Sequence, residues 1–367
     1  MVGSIGPARA YGQRRPTCRT GHASPSTLRP ARGHADRVRA PIVPARLRAG
    51  NEVRVVAPSR SRSMVTEFDH TALVEERFRA MGLTLTYGRH VDERDAFDST
   101  SIAARVEDLH DAFADPAVAG ILTVIGGYNA NELLPHLDWD LIARNPKVFC
   151  GYSDITVLQA AMLARTGLIT YSGPHWSSFG MRDHFEPTME WFRRAVMTDE
   201  PVDLEPATEW TDDLWFMDQD ARSPMPNDGW WVLRPGEAEG AIVGGNLCTV
   251  NLLQGTAWMP DVEDAVLFVE DSALHDPPTV ARDLTSLLQA VDPLQVRALV
   301  IGRFQRATGM TRELLEEIVR RQPFVAGVPV IANVDFGHTS PQATIPIGGR
   351  ASVSAGGATA RLTLRST

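Results

Sequence analysis

The stretch from Asn51 to Thr166 alternates short apolar runs with longer amphipathic segments. Its first unit combines the run Glu-Val-Arg-Val-Val-Ala-Pro-Ser, typical of a buried strand that ends in a turn, with a predicted helix from Glu67 to Met81. The unit recurs, with strands predicted at Leu83 to Tyr87, Gly120 to Ile125 and Lys147 to Cys150, and helices at Ile102 to Ala114, Ala130 to Leu134 and Asp154 to Thr166. This alternation predicts an α/β fold with a mainly parallel sheet and helices on both faces.

The pattern changes twice after this stretch. Residues 187–239 are rich in tryptophan, proline and acidic side chains, which indicates a long connection. From residue 240 onwards short β-rich runs dominate, interrupted by helices near Pro278 to Ala290 and Thr311 to Gln322. We therefore expect an N-terminal α/β domain at residues 41–186 and a β-rich C-terminal domain at residues 240–367, joined by this Trp-rich connection.

Composition narrows the class of protein. The chain of 367 residues is 43% hydrophobic and 22% charged, so it can bury a sizeable core. Nowhere do about 18 apolar residues follow one another, as a membrane helix requires. Three cysteines without metal-type spacing argue against a zinc site and a disulfide framework, and favour a reducing compartment such as the cytoplasm. We expect no membrane partner, and we expect no nucleic-acid polymer as a partner because a net charge of −9 does not suit phosphate binding.

The first 40 residues differ from the rest of the chain. Residues 1–48 hold ten arginines and one acid, Asp36, and residues 1–40 show no apolar periodicity. Such a segment cannot bury enough apolar surface to offset its conformational entropy, so we expect it to be disordered. Two explanations stay open: a targeting peptide, although no apolar or amphipathic stripe is present, and a true start of translation near Val43.

The segment Lys147-Val-Phe-Cys-Gly-Tyr-Ser-Asp-Ile-Thr carries the strongest catalytic signal. An apolar strand runs through Gly151 into Ser153 and then directly into an amphipathic helix, which is the outline of a nucleophile elbow. Such a turn projects the serine hydroxyl above the sheet edge, where the first amides of the helix can stabilise an anion. The alternative is that Ser153 is only the N-cap of the helix.

A pair of glycines follows another predicted strand. The sequence Ile125-Gly-Gly-Tyr-Asn places Gly126 and Gly127 at the carboxyl end of that strand, the edge where open α/β sheets bind ligands. Glycines let backbone amides approach a reacting oxygen, as an oxyanion hole requires, but an ordinary turn uses the same residues. The chain has neither a dinucleotide fingerprint nor a P-loop.

A nucleophilic serine needs a base, and the base needs a carboxylate to orient it. Among ten histidines, His338 stands apart because it follows a predicted strand and enters a loop. Glu270 closes the apolar run Ala265-Val-Leu-Phe-Val, where a buried carboxylate requires a partner to remain ionised. The alternative for Glu270 is an edge residue that pairs with Arg282 or Arg303.

Five short motifs occur in a fixed order between Pro44 and Leu364. They are Gly126-Gly-Tyr, Gly151-Tyr-Ser-Asp, Gly244-Gly-Asn-Leu, Phe268-Val-Glu-Asp and Phe336-Gly-His. In this order and spacing they resemble the LD-carboxypeptidase family of serine peptidases, which includes the microcin C self-immunity proteins. The resemblance therefore implies a serine peptidase or amidase.

The same resemblance implies a site shared by the two domains. The catalytic triad would be Ser153, Glu270 and His338, and the amides of Gly127 and Asp154 would form the oxyanion hole. The serine would lie in the N-terminal domain and the other two triad residues in the C-terminal domain. The family also implies a homodimer that uses no cofactor.

Members of this family act on at least two classes of small substrate. One branch removes the terminal D-alanine of murein tetrapeptides, and the other cleaves aminoacyl-nucleotide antibiotics such as processed microcin C. The segments Glu209-Trp-Thr-Asp-Asp and His338-Thr-Ser-Pro resemble the second branch, so we expect Trp210 to stack on a nucleobase. Tyr128 and Asn246 are the further substrate-binding residues that the resemblance implies.

Three alternatives remain open at this stage. Trp210 could pack the connection against the body of the protein instead of binding substrate. Ala273 and Leu274 stand where the immunity proteins carry basic residues, which puts a preference for acidic aminoacyl groups in doubt. A nucleotide- or peptide-binding module without catalytic activity is the alternative from a different class.

Overall fold

The computed structural model of the protein describes residues 40–65, 70–290, 296–357 and 359–366. These residues belong to the second of the two units into which the chain divides, residues 1–37 and 38–367. The predictions for residues 1–39, and for the start of the helix expected at Glu67, lie outside the described residues. Within the described ranges, no helix combines the length and apolarity needed to cross a lipid bilayer.

Strands and helices alternate along the first half of the chain. The strands are β1 (Glu52–Val56), β2 (Thr84–Tyr87), β3 (Val118–Thr123), β4 (Val148–Gly151), β5 (Thr170–Ser172), β6 (Val202–Leu204), β7 (Glu209–Trp210), β8 (Met225–Pro226), β9 (Trp231–Arg234), β10 (Gly236–Asn246), β11 (Ala265–Glu270), β12 (Val296–Gly302), β13 (Val330–Val334), β14 (Ile345–Ile347), β15 (Arg350–Gly356) and β16 (Thr359–Arg365). The α-helices are α1 (Thr71–Ala80), α2 (Ile102–Ala114), α3 (Trp139–Arg144), α4 (Thr156–Thr166), α5 (Glu186–Met197), α6 (Leu247–Asn251), α7 (Pro277–Ala290) and α8 (Arg312–Arg320). Short 3-10 helices lie at Arg62–Met64, Ala130–His136, Ser153–Ile155, Ser177–Gly180, Arg306–Thr308 and Pro323–Val325.

The N-terminal half is built on a six-stranded sheet with the order β14-β5-β4-β3-β1-β2. Strands β1 to β5 run parallel, and β14 pairs antiparallel with β5 at the edge. Local signals mark where the helices between the strands begin and end. Ser101 caps the N-terminus of α2 by accepting from the amide of Ala104, and Gly167 ends α4 with a φ of 81°. The α/β fold class predicted from the alternation is confirmed.

The C-terminal half is built on an eight-stranded sheet with the order β6-β16-β15-β10-β11-β12-β13-β9. Its centre, β10 to β13, is parallel, and its outer strands pair antiparallel. Along β11, Val266 and Phe268 pack into one buried cluster and Leu267 and Val269 into another. Alternate residues thus point to opposite faces of the sheet. Because both faces are covered, the sequence of β11 is apolar without alternation.

The segment at residues 187–239 is more ordered than a connection. It contains most of helix α5 and the strands β6 to β9. Strand β6 pairs with β16 and strand β9 pairs with β13, so this segment supplies both edges of the eight-stranded sheet. The expectation of a long connection is wrong here, because strands of three or four residues carry too little periodicity to be read from the sequence.

The carboxyl ends of strands from both sheets meet at one place. Ser153 follows β4, while Asn246 and Glu270 are the last residues of the neighbouring parallel strands β10 and β11. The two sheets touch there because the amide of Asn246 donates to the Thr156 hydroxyl at the start of α4, at 3.1 Å. Ligand sites of open parallel sheets form at this edge.

Candidate active site

Ser153 lies on a tight turn between β4 and the helices that follow it. The turn begins with extended Tyr152, and Ser153 itself has a φ of 61°, a left-handed conformation that is rare outside glycine. A 3-10 turn and then α4 follow directly. A strained serine between a strand and a helix is the geometry of a nucleophile elbow, as the sequence predicted.

The glycine pair faces this elbow. A Cβ atom on Gly126 would lie 2.9 Å from the Cβ atom of Ser153, so only glycine allows this approach. Within the described part of the chain, the amide of Gly127 donates to no acceptor. The loop is fixed by the buried carboxylate of Asp154, which accepts from the Ser59 hydroxyl at 2.6 Å and from the Ala130 amide at 2.9 Å.

His338 bridges the two sheets. Its Nε2 atom lies 3.1 Å from the hydroxyl oxygen of Ser153, and its Nδ1 atom lies 2.6 Å from a carboxylate oxygen of Glu270. The Glu270 side chain is only 2% exposed. The three residues therefore form one hydrogen-bonded chain, although they are separated by up to 185 positions in the sequence.

Asn246 holds the far side of the Glu270 carboxylate. The side-chain amide of Asn246 donates to Glu270 at 3.2 Å and approaches Asp271 at 3.4 Å, while its carbonyl oxygen accepts from the hydroxyl of Thr249 at 2.7 Å. These partners occupy both ends of the Asn246 side chain. The predicted substrate-binding residue Asn246 is therefore buried behind Glu270, where it orients the carboxylate.

Gly337 is required by the packing of the histidine loop, residues 335–344, which joins β13 to β14 and carries His338. It has a φ of 103°, and a Cβ atom there would lie 2.5 Å from a carboxylate oxygen of Glu270. Any other residue would displace the carboxylate or the loop. The glycine of the Phe336-Gly-His motif thus lets His338 and Glu270 approach each other.

The electrostatics favour a charged imidazole. Burial disfavours the protonated form of His338, but the charge and hydrogen bond of Glu270, with the charge of Asp271, outweigh it and raise the pKa of His338 above its usual value. Burial also raises the pKa of Asp154, against the hydrogen bonds from Ser59 and Ala130. An imidazolium that forms at His338 during a reaction would therefore be stabilised.

A cleft opens beside His338. Its lining includes three aromatic residues, Tyr152, Trp215 and Phe216, together with polar residues of the histidine loop. Trp215 and Phe216 come from the Trp-rich segment. This segment is therefore part of the cleft wall, and it brings aromatic surface next to the proposed base.

Trp210 and Tyr128 lie outside this lining. The Trp210 ring packs against the buried guanidinium of Arg303, with 5.0 Å between the guanidinium carbon and the ring centroid. Tyr128 is 64% exposed, and the guanidinium of Arg60 lies 4.9 Å from its ring centroid. The substrate contacts expected for these two residues stay predictions.

Sequence reasoning missed four residues around the triad. The missed residues are Tyr152 and His175, which stack on each other, Asp271, which faces Asn246, and Trp215 in the cleft. His175 had one available signal, because it follows the carboxyl end of strand β5 through Gly173 and Pro174. The contacts of the other three depend on long-range packing.

One group of side chains offers ligand types that metals use. The ligand atoms of Cys248, Asp271 and His275 lie within 4.8 Å of one another. The Asp271 carboxylate already accepts from the amides of Ser272 and Cys248, and burial with the charge of Asp271 raises the pKa of the Cys248 thiol to about 12. A protonated thiol is a poor ligand, so this group does not favour a metal at neutral pH.

Comparisons with known proteins identify the family of the chain. Residues 53–173 match the LD-carboxypeptidase N-terminal domain, and residues 239–353 match the LD-carboxypeptidase C-terminal domain. A relative named "Putative carboxypeptidase YocD", from Bacillus subtilis (strain 168), is 43% identical over 318 residues, which cover 87% of this chain and 98% of the relative. The microcin C7 self-immunity protein MccF of Escherichia coli is 30% identical over 324 residues, covering 84% and 92%.

Solved structures show the same fold. An MccF-like protein from Bacillus anthracis str. Ames aligns with a TM-score of 0.87 and 43% identity, over 89% of this chain and all of that chain. MccF in complex with aspartyl sulfamoyl adenosine aligns with a TM-score of 0.78 and 28% identity, over 89% and 99%. A muramoyltetrapeptide carboxypeptidase from Oxalobacter formigenes aligns with a TM-score of 0.70 and 26% identity, over 86% and 99%. The chain belongs to the LD-carboxypeptidase family and is a serine-type peptidase hydrolase.

Proposed function

We propose that Ser153, His338 and Glu270 are the catalytic triad of an enzyme that hydrolyses the amide-type bond of aminoacyl-nucleotide compounds. The observation that supports the triad is its unbroken set of contacts, 3.1 Å from the serine to the histidine and 2.6 Å from the histidine to the glutamate. Both distances are within the reach that activation of a serine requires. The strained elbow at Ser153 adds support, since strain of this kind concentrates at active sites.

The proposed reaction has two halves. His338 accepts the hydroxyl proton of Ser153 as the oxygen attacks the scissile carbonyl carbon, and Glu270 holds the imidazole in the tautomer with the proton on Nδ1. The amides of Gly127 and Asp154 donate to the oxyanion. His338 then protonates the leaving nitrogen, which departs as the C–N bond breaks. A water molecule, deprotonated by the same imidazole, hydrolyses the acyl-serine ester and regenerates the enzyme.

The aromatic residues beside the triad support a nucleotide substrate. The backbone of Thr211, next to Trp210, makes hydrogen bonds of 2.7 and 2.8 Å with Ser340, two residues after His338. Trp210 is therefore anchored to the histidine loop, and Trp215 lines the cleft itself. Stacking a base on an aromatic ring is worth about 1–3 kcal/mol.

Release of the terminal D-alanine from a murein tetrapeptide is the second candidate function. The solved muramoyltetrapeptide carboxypeptidase shares the fold over almost its whole length. Ala273 and the exposed Leu274 also offer no charge to an acidic aminoacyl group. A murein substrate needs no surface for a base, so the two candidates differ in their use of the tryptophans.

The experiment compares the two substrates directly. The purified protein is incubated separately with an aminoacyl sulfamoyl adenosine and with a murein tetrapeptide, and products are followed by mass spectrometry. We expect release of the amino acid from the first compound and no such release by Ser153→Ala. Release of D-alanine alone would replace the proposed substrate class by the murein alternative. Turnover of neither compound would refute both.

Two further predictions accompany this function. We infer from the family resemblance a cytoplasmic location and a homodimer. Size-exclusion chromatography with light scattering measures the mass of the particle, and a particle of 40.2 kDa would contradict the dimer. Fractionation of cells that express the full chain measures the location, and recovery in the membrane or secreted fraction would contradict the cytoplasm.

A further inference from the structure

A second histidine lies next to the nucleophile elbow. His175 is buried, and its ring stacks on the ring of Tyr152 with 4.1 Å between centroids and an interplanar angle of 25°. Its Nε2 atom also lies 3.0 Å from the carbonyl oxygen of Tyr152 and 3.2 Å from its amide nitrogen. One imidazole thus contacts both the side chain and the backbone of the residue that precedes Ser153.

Tyr152 connects this contact to both reacting groups. Its backbone leads directly into Ser153, whose positive φ must be held by its surroundings. Its ring packs edge-on against the ring of His338, with 5.0 Å between centroids and 65° between planes. A displacement of Tyr152 would therefore move the Ser153 nucleophile and allow the imidazole ring of His338 to rotate.

The segment that carries His175 is itself fixed to the sheet. The amide of Gly173 donates to the carbonyl of Gly151 at 3.1 Å, and the amide of Trp176 donates to the carbonyl of Thr123 at 2.9 Å. These hydrogen bonds fix the backbone on both sides of His175 to the carboxyl ends of β3 and β4. The imidazole of His175 therefore packs against the elbow from a fixed position. Rigid support of this kind keeps a reacting constellation within its productive geometry.

The chemistry of imidazole explains why a histidine occupies this position. Burial and the nearby charge of His338 together lower the pKa of His175 to about 3, against the opposing effect of the hydrogen bond with the Tyr152 backbone, so the ring is neutral at working pH. A neutral ring hydrogen-bonds the backbone of Tyr152 through Nε2, which donates to the carbonyl in one tautomer and accepts from the amide in the other, without placing a second positive charge beside the proposed base. Phenylalanine could stack but not hydrogen-bond, and glutamine could hydrogen-bond but not stack.

We propose that His175 is a positioning residue, which holds the nucleophile elbow through the backbone of Tyr152 and restrains the plane of His338 through its ring. This inference rests on the proposed triad. His175 touches neither the substrate nor the reacting atoms. Its effect on the reaction passes entirely through Tyr152.

The test uses His175→Phe, which keeps an aromatic ring, and His175→Gln, which keeps a side chain that can hydrogen-bond. A misplacement of about 1 Å costs about 100-fold in rate, so we expect kcat to fall by about 10- to 100-fold in both variants, with KM changed less than about twofold. The acid limb of the pH profile should stay in place, because a group that is neutral above about pH 3 does not titrate there. His110→Gln is the matched control: it replaces another histidine, which accepts from the amide of Asp138, and should leave kcat unchanged.

Labelling with a fluorophosphonate probe makes the test independent of the substrate. The Ser153 oxygen forms a bond to phosphorus, its proton passes to His338 and fluoride leaves, so the labelling rate reports the alignment of the nucleophile. We expect labelling to slow by about the same factor as kcat in both His175 variants. If the wild-type protein is not labelled, the triad itself is wrong.

Three results would overturn the role of His175 while the triad stands. They are wild-type labelling rates in both variants, a loss of labelling that follows only the unfolded fraction measured by circular dichroism, and an acid limb that moves with the substitution. A rise in KM for one substrate alone would instead make His175 a substrate contact.

Discussion

Replacing Glu270 by glutamine tests the electrostatic core of the proposed mechanism. The substitution keeps the size of the side chain and its hydrogen bond from Asn246, but removes the charge that faces His338 at 2.6 Å. It also allows the amide to donate to Nδ1, which selects the wrong tautomer for a base that must act through Nε2. We expect a folded protein with very low turnover.

The magnitude follows from the distance between the charges. With contact atoms 2.6 Å apart, the charge centres lie about 4 Å apart, and two unit charges at about 4 Å interact by about 4 kcal/mol at an effective dielectric constant of about 20. Because about 1.4 kcal/mol corresponds to a tenfold change in rate, loss of this stabilisation lowers kcat by about 10³-fold. Loss of the correct tautomer increases the effect to about 10⁴-fold in related triads.

The pH dependence of activity tests separately whether the charge of Glu270 raises the pKa of His338. In the wild-type protein, Glu270 raises the pKa of His338, so activity should be lost as the pH falls through a value above the usual histidine pKa of about 6.5. Without that charge, burial dominates and the pKa falls. The residual activity of Glu270→Gln should therefore persist to lower pH than that of the wild-type enzyme.

The assay is kcat/KM between pH 5 and 9 for whichever substrate the wild-type enzyme turns over, with circular dichroism to confirm folding. Asp271→Asn is the comparison variant, because it removes a neighbouring buried carboxylate whose charge also raises the pKa of His338 but which makes no hydrogen bond to it, so its acid limb should move in the same direction and less far. A Glu270→Gln enzyme within tenfold of wild type, or one whose acid limb moves to higher pH, would refute the reasoning.

Five further predictions concern the same site. Ser153→Ala should lower kcat by about 10⁴- to 10⁶-fold, and adding His338→Ala should lower it little more; a double variant far slower than either single variant would break the triad. Gly337→Ala should destabilise the fold by more than about 1 kcal/mol, measured by urea unfolding, and unchanged stability would contradict the close approach to the carboxylate. Trp210→Ala should raise KM for an aminoacyl sulfamoyl adenosine by about 5- to 150-fold and leave a murein tetrapeptide unaffected, whereas equal losses would make it a packing residue. Trp215→Ala tests the cleft wall in the same assay, and no change in KM would exclude its contact with substrate. Excess chelator should leave activity unchanged, and inactivation would indicate a metal.

The sequence predicts well what depends on neighbouring residues. The α/β class follows from the alternation of apolar runs and amphipathic segments, and helix α2 begins and ends where the pattern predicts, at Ile102 and Ala114. The elbow at Ser153 is also local, since a strand, a glycine and a helix start within a few residues define it. Hydrophobic periodicity and caps act over one or two turns, so a single sequence contains them.

Only the tertiary structure decided which distant segments meet. Strand β14 pairs with β5 about 175 positions earlier in the chain, and the short strands β6 and β9 complete the second sheet. The support that His175 gives to the elbow and the place of Asn246 behind Glu270 have no periodic signal in the sequence. Such contacts arise because packing brings side chains together after the sheets have formed, and the free energy of that packing is a property of the whole fold, not of any one segment.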